Sequence, residues 1–172
     1  YPHTFWVNDG TDYYWVMSEE GKKDLERRGV LSEKIVPGGI PVDPIFQPTG
    51  RKTDILEKFN LSTTRFTILL SSGSFGLGPQ EQILKELEVF SEGIQCLVVC
   101  GNNQKLHKIL ETRLFKYPMK AFGFVDFMPD LMEASDLLIA KSGGSTTVES
   151  LAKGIPMVVV HPIPIFLQSL LQ

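Results

Sequence analysis

From residue 66 onward, the chain alternates short, almost wholly apolar runs with segments of helical periodicity. The apolar runs are residues 66–71, 94–100, 119–124, 136–140 and 156–160. Strands that are apolar on both faces and alternate with helices indicate a parallel sheet covered by helices on both sides. Crossovers between parallel strands are right-handed, so the predicted fold class is α/β, a doubly wound parallel sheet of Rossmann-like type.

The region before residue 50 follows a less regular pattern. A strand is predicted at residues 13–17, a helix capped by Ser18 follows it, and residues 30–36 return toward a strand. Residues 38–44, Gly-Gly-Ile-Pro-Val-Asp-Pro, are dense in turn-forming residues and indicate a linker. We therefore expect a domain boundary between residues 37 and 50.

The composition fits a packed domain and argues against several functions. Hydrophobic residues make up 42% of the chain, and a net charge of −3 does not suit a nucleic-acid-binding surface. No run reaches the roughly 18 apolar residues of a membrane-spanning helix. Cys96 and Cys100 lie about 13 Å apart on one predicted strand, too far for a disulfide. They are predicted to be buried, reduced thiols of a cytoplasmic protein, and no metal site is predicted.

A glycine-rich loop, residues 72–79, leaves the first apolar strand and enters a helix. In a doubly wound sheet, ligands bind at the carboxyl ends of the strands. Glycines let the backbone approach a phosphate there, and a helix start offers free amides. The loop lacks the Gly-Lys-Ser/Thr ending of a P-loop. A tight turn without a ligand is the alternative.

Residues 141–149, Lys-Ser-Gly-Gly-Ser-Thr-Thr-Val-Glu, form a second loop of this kind. One interpretation is structural: Ser145 or Thr146 caps the following helix and Glu149 completes a capping box. The other is functional: the amides and hydroxyls meet a diphosphate, and Glu149 accepts hydrogen bonds from two ribose hydroxyls. The residues alone leave both open.

A third loop, residues 123–128, ends another strand at the same edge. Backbone groups of Phe124 and Val125 would pair with a uracil edge, or the loop simply packs in the core. Asp126, Asp130 and Glu133 are interpreted as acids near a helix start, where they favour the helix dipole.

Taken together, these motifs resemble the C-terminal domain of glycosyltransferase family 28, in the branch of monogalactosyldiacylglycerol synthase and the processive diacylglycerol glucosyltransferases. The branch is related to the peptidoglycan lipid I N-acetylglucosaminyltransferase. The shared pattern is the glycine loop, residues 100–106, Gly123-Phe124-Val125 with Met128, residues 136–149 and Gly154-Ile155-Pro156. Residues 3–6 and 39–42 resemble the crossover between the two domains of the glycolipid enzymes.

The resemblance implies one half of a GT-B architecture. Residues 1–40 would be the tail of an N-terminal, acceptor-side domain plus the linker, and residues 41–172 the nucleotide-sugar-binding C-terminal domain. The implied activity is UDP-sugar-dependent transfer of a hexose to a lipid such as diacylglycerol, inverting and without metal or cofactor. The residues implied to bind the nucleotide sugar are Gly73, Ser74, Gly76, Asn102, Phe124, Val125, Met128, Gly143, Gly144, Ser145, Thr146 and Glu149.

The implied partners are a UDP-sugar, a lipid acceptor and, for the full-length enzyme, the membrane surface, with no nucleic acid. The implied location is cytoplasmic and peripheral to the membrane. The chain begins within structured sequence, so we expect a fragment, and residues 164–172 depart from the family's sugar-recognition motif. The isolated chain is therefore expected to bind UDP weakly and to transfer no sugar.

Two alternatives remain. One is a non-catalytic UDP-sugar-binding subunit that pairs with a separate acceptor-binding chain, against which residues 1–36 argue. The other is an enzyme like UDP-N-acetylglucosamine 2-epimerase, against which the sparse histidines argue.

Overall fold

The structure is a computed structural model that describes residues 3–71, 73, 76 and 78–160. The chain divides into two compact units, Tyr1–Asp43 and Pro44–Gln172. That the first unit is the tail of a further domain stays a prediction. No helix in the described part of the chain has the length and hydropathy needed to cross a bilayer.

The first unit is a strand–helix–strand motif. Its elements are 3₁₀ turns at Thr4–Trp6 and Ser32–Lys34, strands β1 (Tyr14–Val16) and β2 (Ile35–Pro37), and helix α1 (Glu19–Arg27). As predicted, the Ser18 hydroxyl caps α1 by accepting a hydrogen bond from the Gly21 amide. The two strands pair in parallel, and Val16 and Ile35 form a small core with Leu25 of α1.

Trp15 lies largely outside this core and fixes the chain that follows β2. Its side chain is 61% exposed. The indole Nε1 donates a 2.7 Å hydrogen bond to the Gly39 carbonyl. A Cβ atom on Gly38 would lie 1.9 Å from a ring carbon of Trp15, so only glycine fits at position 38 while the indole keeps this place.

The second unit confirms the predicted fold class. Its five-stranded sheet has the order β5-β4-β3-β6-β7, and every pairing is parallel. The elements are a 3₁₀ turn at Pro44–Phe46, α2 (Lys52–Lys58), β3 (Phe66–Ser71), α3 (Gln80–Glu86), a 3₁₀ turn at Leu87–Phe90, β4 (Ile94–Val99), α4 (Gln104–Thr112), β5 (Met119–Phe122), α5 (Met128–Glu133), β6 (Leu137–Ala140), α6 (Gly144–Lys153) and β7 (Met157–Val159).

Helices cover both faces of this sheet, which explains why its central strands are mostly apolar. On one face, Leu84 of α3 and Leu110 of α4 pack against β3 and β4. On the other, Leu56 of α2 and Leu131 of α5 pack against the same strands, with α6 beside α5. Burial of these side chains supplies the main driving force for folding of the unit.

Cys96 and Cys100 are free and fully buried, as expected. Burial raises the pKa of Cys96 to about 12 and that of Cys100 to about 11. Because the thiolate is the reactive form, we expect neither thiol to react appreciably with iodoacetamide at pH 8 in the folded chain, and both to react in denaturant. Mass spectrometry of labelled peptides measures this, and rapid labelling of Cys100 under native conditions would contradict it.

Candidate functional site

The carboxyl ends of the strands bring the predicted loops to one edge of the sheet. All strands of the second unit are parallel, so the loops after β3, β4, β5 and β6 share that edge. The strand order changes direction between β3 and β6, and the helices that follow these strands, α3 and α6, lie on opposite faces. Ligands of doubly wound sheets bind at such a switch point.

The start of α6 presents unpaired backbone amides at this edge. The first amide of the helix to find an acceptor is that of Thr147, which donates a 2.9 Å hydrogen bond to the Gly143 carbonyl. Among the described residues, the amides of Gly144, Ser145 and Thr146 have no acceptor. These amides and the helix dipole give the helix start a partial positive charge that suits an anion.

Of the two interpretations of this loop, the capping box is wrong. Gly143 occupies the N-cap position, so no side chain caps α6, and Ser145 already lies inside the helix. The hydroxyl that reaches back is that of Thr147, whose Oγ1 donates a 2.8 Å hydrogen bond to the Gly143 carbonyl. A glycine cap leaves the helix start open instead of closing it with a side chain.

Glu149 lies half-buried on α6, one turn from these amides. Burial raises the pKa of its carboxyl group above the ordinary value. No hydrogen bond or ion pair joins its carboxylate to another described residue. Because the capping box is absent as well, the Glu149 carboxylate accepts no hydrogen bond from the described part of the chain and is available to a ligand.

The glycine loop rests on the loop that follows β4. The Gly76 amide donates to the Gly73 carbonyl at 3.1 Å, which closes a turn. Gly76 is buried, has a φ of +58°, and a Cβ atom there would lie 2.0 Å from the Cys100 carbonyl oxygen. Position 76 therefore requires glycine. Ser74, also predicted for this site, lies outside the described residues.

The loop after β4 assigns different roles to its two asparagines. The predicted site residue Asn102 is exposed, and its carbonyl accepts the Gln104 amide at 3.0 Å. Asn103 caps α4 by accepting the Leu106 amide at 3.0 Å, and its Nδ2 donates to the Gly76 carbonyl at 3.1 Å. The sequence analysis overlooked Asn103, although an asparagine directly before a helix is an N-cap signature.

Of the residues in the loop after β5 that were predicted to bind the nucleotide sugar, one lies at the surface and two pack against the core. Phe124 is 67% exposed. Val125 and Met128 are half-buried and pack against the core cluster beneath α5. No backbone hydrogen bond joins residues 123–125 to another described residue. Core packing thus accounts for Val125 and Met128 but not for the exposed ring of Phe124.

Comparison with known proteins decides the family. Residues 67–165 match the glycosyltransferase family 28 C-terminal domain, and residues 1–42 match monogalactosyldiacylglycerol (MGDG) synthase. The chain belongs to glycosyltransferase family 28.

Curated relatives of this family 28 chain include the processive diacylglycerol beta-glucosyltransferases of Bacillus pumilus and Bacillus subtilis. Each is 30% identical to it over 94% of the chain, which spans 43% of the length of each relative. Solved structures with the same fold include Anabaena HepE in complex with UDP-glucose, with a TM-score of 0.56 and 17% identity over 88% of this chain and 45% of that one. Another is the Neisseria meningitidis UDP-GlcNAc 2-epimerase, with a TM-score of 0.61 and 17% identity over 93% of this chain and 46% of that one.

A buried carboxamide lies at the same edge of the family 28 domain. Gln80, the first residue of α3, is 1% exposed, and its Nε2 donates to the Val99 carbonyl at 3.2 Å. Its Oε1 has no donor among the described residues. Sequence reasoning also overlooked this residue, because a glutamine in a helix carries no signal of burial.

An ion pair at the other end of α6 anchors the helix within the family 28 domain. Lys153 Nζ lies 2.7 Å from Glu133 Oε2, and the two side chains are 2% and 8% exposed. Lys153 also donates to the Gln47 carbonyl at 2.8 Å, and Glu133 accepts the amides of Thr49 and Gly50. Burial disfavours the charged form of Glu133, but the hydrogen bonds from Lys153, Thr49 and Gly50 outweigh it and hold its pKa below the ordinary value.

The prediction that Glu133 lies near a helix start is wrong, because Glu133 is the last residue of α5. Asp130 does lie in the first turn of α5, where it pairs with Arg51. His3 caps the Thr4–Trp6 turn, and His161 lies outside the described residues. In the described ranges, no three His, Cys, Asp or Glu side chains group as a metal site would require.

Proposed function

We propose that this chain supplies the UDP-sugar-binding half of a glycosyltransferase that transfers a hexose to a lipid acceptor such as diacylglycerol. One observation carries the proposal: the start of α6, where three amides lack acceptors among the described residues, lies one turn from a half-buried carboxylate that has no partner in that part of the chain either. An anion site next to a strong acceptor matches a diphosphate joined to a sugar that bears two hydroxyls.

The diphosphate would lie against the amides of Gly144, Ser145 and Thr146. The loop after β3, with Gly73, Ser74 and Gly76, would contact it from the neighbouring strand. Backbone amides and hydroxyls donate to phosphate oxygens without requiring a charged side chain, and the dipole of α6 adds to the attraction. Gly143 and Gly144 are exposed and have no side chains that would obstruct a phosphate.

The nucleoside would occupy the edge between α6 and the loop after β5. Glu149 would accept hydrogen bonds from the two ribose hydroxyls, which suits a carboxylate because it offers two acceptor oxygens. Phe124 and Val125 would frame the uracil with their unpaired backbone groups, and Met128 and Asn102 would border the site.

In the proposed reaction the acceptor hydroxyl attacks the anomeric carbon of the donor sugar from the face opposite the diphosphate. The bond to the β-phosphate oxygen breaks, the hydroxyl proton passes to a base in the other domain, and the configuration inverts. The α6 amides stabilise the negative charge on the leaving UDP, so no metal ion is required for that purpose.

The relatives support this choice over its alternatives. Those that align along most of the chain are named diacylglycerol beta-glucosyltransferases, which favours transfer to a lipid over an epimerase or a non-catalytic subunit. The HepE structure of the same fold holds UDP-glucose, which favours a UDP-sugar donor. We further propose that the complete enzyme is cytoplasmic and peripheral to the membrane, where it would meet a lipid acceptor.

Calorimetric titration of the 172-residue chain tests the proposal. We expect weak binding of UDP and weaker binding of ADP, because both carry a diphosphate but only UDP carries the base that the β5 loop would recognise. UDP-glucose, UDP-galactose and UDP-N-acetylglucosamine, titrated in parallel, report the sugar preference. Equal binding of UDP and ADP, or amide NMR shifts at the opposite edge of the sheet, would refute the assignment. If the isolated chain transferred sugar to diacylglycerol, the expectation that it is inactive by itself would be wrong, but the UDP-sugar site would stand.

A further inference from the structure

We propose that Asn103 is a positioning residue that holds the backbone of Gly76, in the loop after β3, in the geometry required to meet a diphosphate. The inference rests on the proposed function, because it concerns the same site. Asn103 itself is not expected to touch the nucleotide. It acts through Gly76, whose backbone it binds.

The side-chain and backbone contacts of Asn103 join three elements at one residue. Its Oδ1 accepts the Leu106 amide and so caps α4, while its Nδ2 donates to the Gly76 carbonyl. Its own amide donates to the Cys100 carbonyl at 3.1 Å. The same Cys100 oxygen is the atom that the backbone of Gly76 approaches too closely for any side chain. The end of β4, the start of α4 and the glycine loop therefore meet at Asn103.

A glycine-rich loop needs such a restraint if it is to bind a phosphate. Glycine loses more conformational freedom on ordering than any other residue. A loop that is already ordered before the ligand arrives avoids that loss at the binding step, and affinity rises accordingly. The Gly76 amide is bonded to the Gly73 carbonyl, and Asn103 ties the Gly76 carbonyl to the start of α4.

Only a carboxamide provides both contacts from this position. Aspartate and serine cap helices as well as asparagine does, but aspartate has no donor when ionised. The serine hydroxyl is one atom shorter and carries a single proton. A residue needed only as a helix cap would therefore tolerate serine, whereas a residue needed as a tether would not.

The experiment compares Asn103→Ser with Asn103→Ala, and uses Gln104→Ala as the matched control. Gln104 is the exposed neighbour, and its side chain has no hydrogen-bond partner in the described structure. The measurements are UDP affinity by calorimetry, the unfolding midpoint in denaturant, and hydrogen exchange of the Gly76 amide. Serine can still cap α4 and is also uncharged, so Asn103→Ser removes only the hydrogen bond to the Gly76 carbonyl.

We expect Asn103→Ser to unfold close to the wild-type midpoint, to bind UDP about three- to tenfold more weakly, and to exchange the Gly76 amide faster by a similar factor, as befits one lost hydrogen bond. Asn103→Ala should show the same changes together with a lower unfolding midpoint. Gln104→Ala should match the wild type in all three measurements.

The outcomes separate this inference from the proposed function. Wild-type UDP affinity and unchanged Gly76 exchange in Asn103→Ser would overturn the positioning role while leaving the UDP site standing. If the wild-type chain bound no UDP, the proposed function would fail. The exchange rate of the Gly76 amide would then test only whether Asn103 restrains Gly76. Faster exchange in Asn103→Ser would support that restraint, and an unchanged rate would overturn it.

Discussion

Replacing Lys153 with methionine should destabilise the second unit by about 3–5 kcal/mol, the largest effect expected of any substitution considered for this chain. Methionine preserves most of the side-chain volume but removes the cation. The Glu133 carboxylate, 8% exposed, would remain buried without its charged partner, and the Gln47 carbonyl would lose its donor. A buried charge left unpaired is far more costly than a lost surface contact.

The two tryptophans of the chain, Trp6 and Trp15, both lie in the first unit. In urea, far-ultraviolet circular dichroism therefore reports mainly the unfolding of the second unit, whereas tryptophan fluorescence reports that of the first unit. The fluorescence transition should be the same in Lys153→Met and in the wild type. The matched control is Arg113→Ala, which breaks the Arg113–Glu81 pair with side chains 35% and 46% exposed. It should change stability by less than about 1 kcal/mol. A comparably small effect of Lys153→Met would show that the pair contributes little.

The same pair gives the unfolding free energy a pH dependence with a definite sign. The native pKa of Glu133 is held below its ordinary value. Its contribution to stability is therefore present above the pKa of the unfolded chain and is lost as the pH falls through the native pKa. Lys153→Met removes the strongest hydrogen bond to the carboxylate, so its unfolding free energy should fall less between neutral and acidic pH than that of the wild type.

Replacing Glu149 with glutamine should weaken UDP binding by roughly 10- to 100-fold, the effect of losing hydrogen bonds between a carboxylate and ribose hydroxyls. The folded chain should not be destabilised. Burial raises the native pKa of Glu149, so the ionised carboxylate opposes folding at every pH above that native value. Glutamine carries no charge and removes this opposition. A gain or no change in stability, together with a large loss of affinity, is characteristic of a binding residue.

Calorimetry and urea unfolding of Glu149→Gln measure the two effects. Glu57→Gln on α2 is the matched control, because Glu57 is exposed and should affect neither quantity. In the wild type, UDP affinity should decline as the pH falls through the raised pKa of Glu149, and Glu149→Gln should lose that dependence. A variant that binds UDP as tightly as the wild type would remove Glu149 from the site.

The sequence predicted the centre of the sheet better than its margins. The predicted strand at 66–71 matches β3 residue for residue, because its central residues 68–70 are apolar and buried on both faces of the sheet. The strand predicted at 119–124 instead ends at Phe122. β5 is an edge strand that pairs only with β4, and the pairing stops where Val99 meets Phe122. Apolar residues beyond that point pack or face solvent without forming a ladder.

The candidate site was predictable where local sequence encodes it. Glycines and hydroxyl residues after apolar strands identified the loops, and parallel order brought them together. Contacts between distant side chains left no local pattern. Nothing around Glu133 indicates a lysine 20 positions later, and nothing around Gly76 indicates that Asn103, 27 positions later, would bind it. The glycine cap of α6 was missed because neighbouring serines and threonines offered a more familiar cap.

The C-terminal end of α6 is held by a buried ion pair, and its N-terminal end is open. The helix is about 15 Å long, and the buried ion pair between Lys153 and Glu133 joins its last turn to α5. The N-terminal end of α6 is thus a fixed binding point for an anion. Under the proposed function that anion is the pyrophosphate, which is identical in every UDP-linked hexose, so the start of α6 would bind them all equally. Discrimination between glucose, galactose and their N-acetylated derivatives would then depend on side chains that contact the sugar itself, and replacing those side chains would change donor preference without altering this helix.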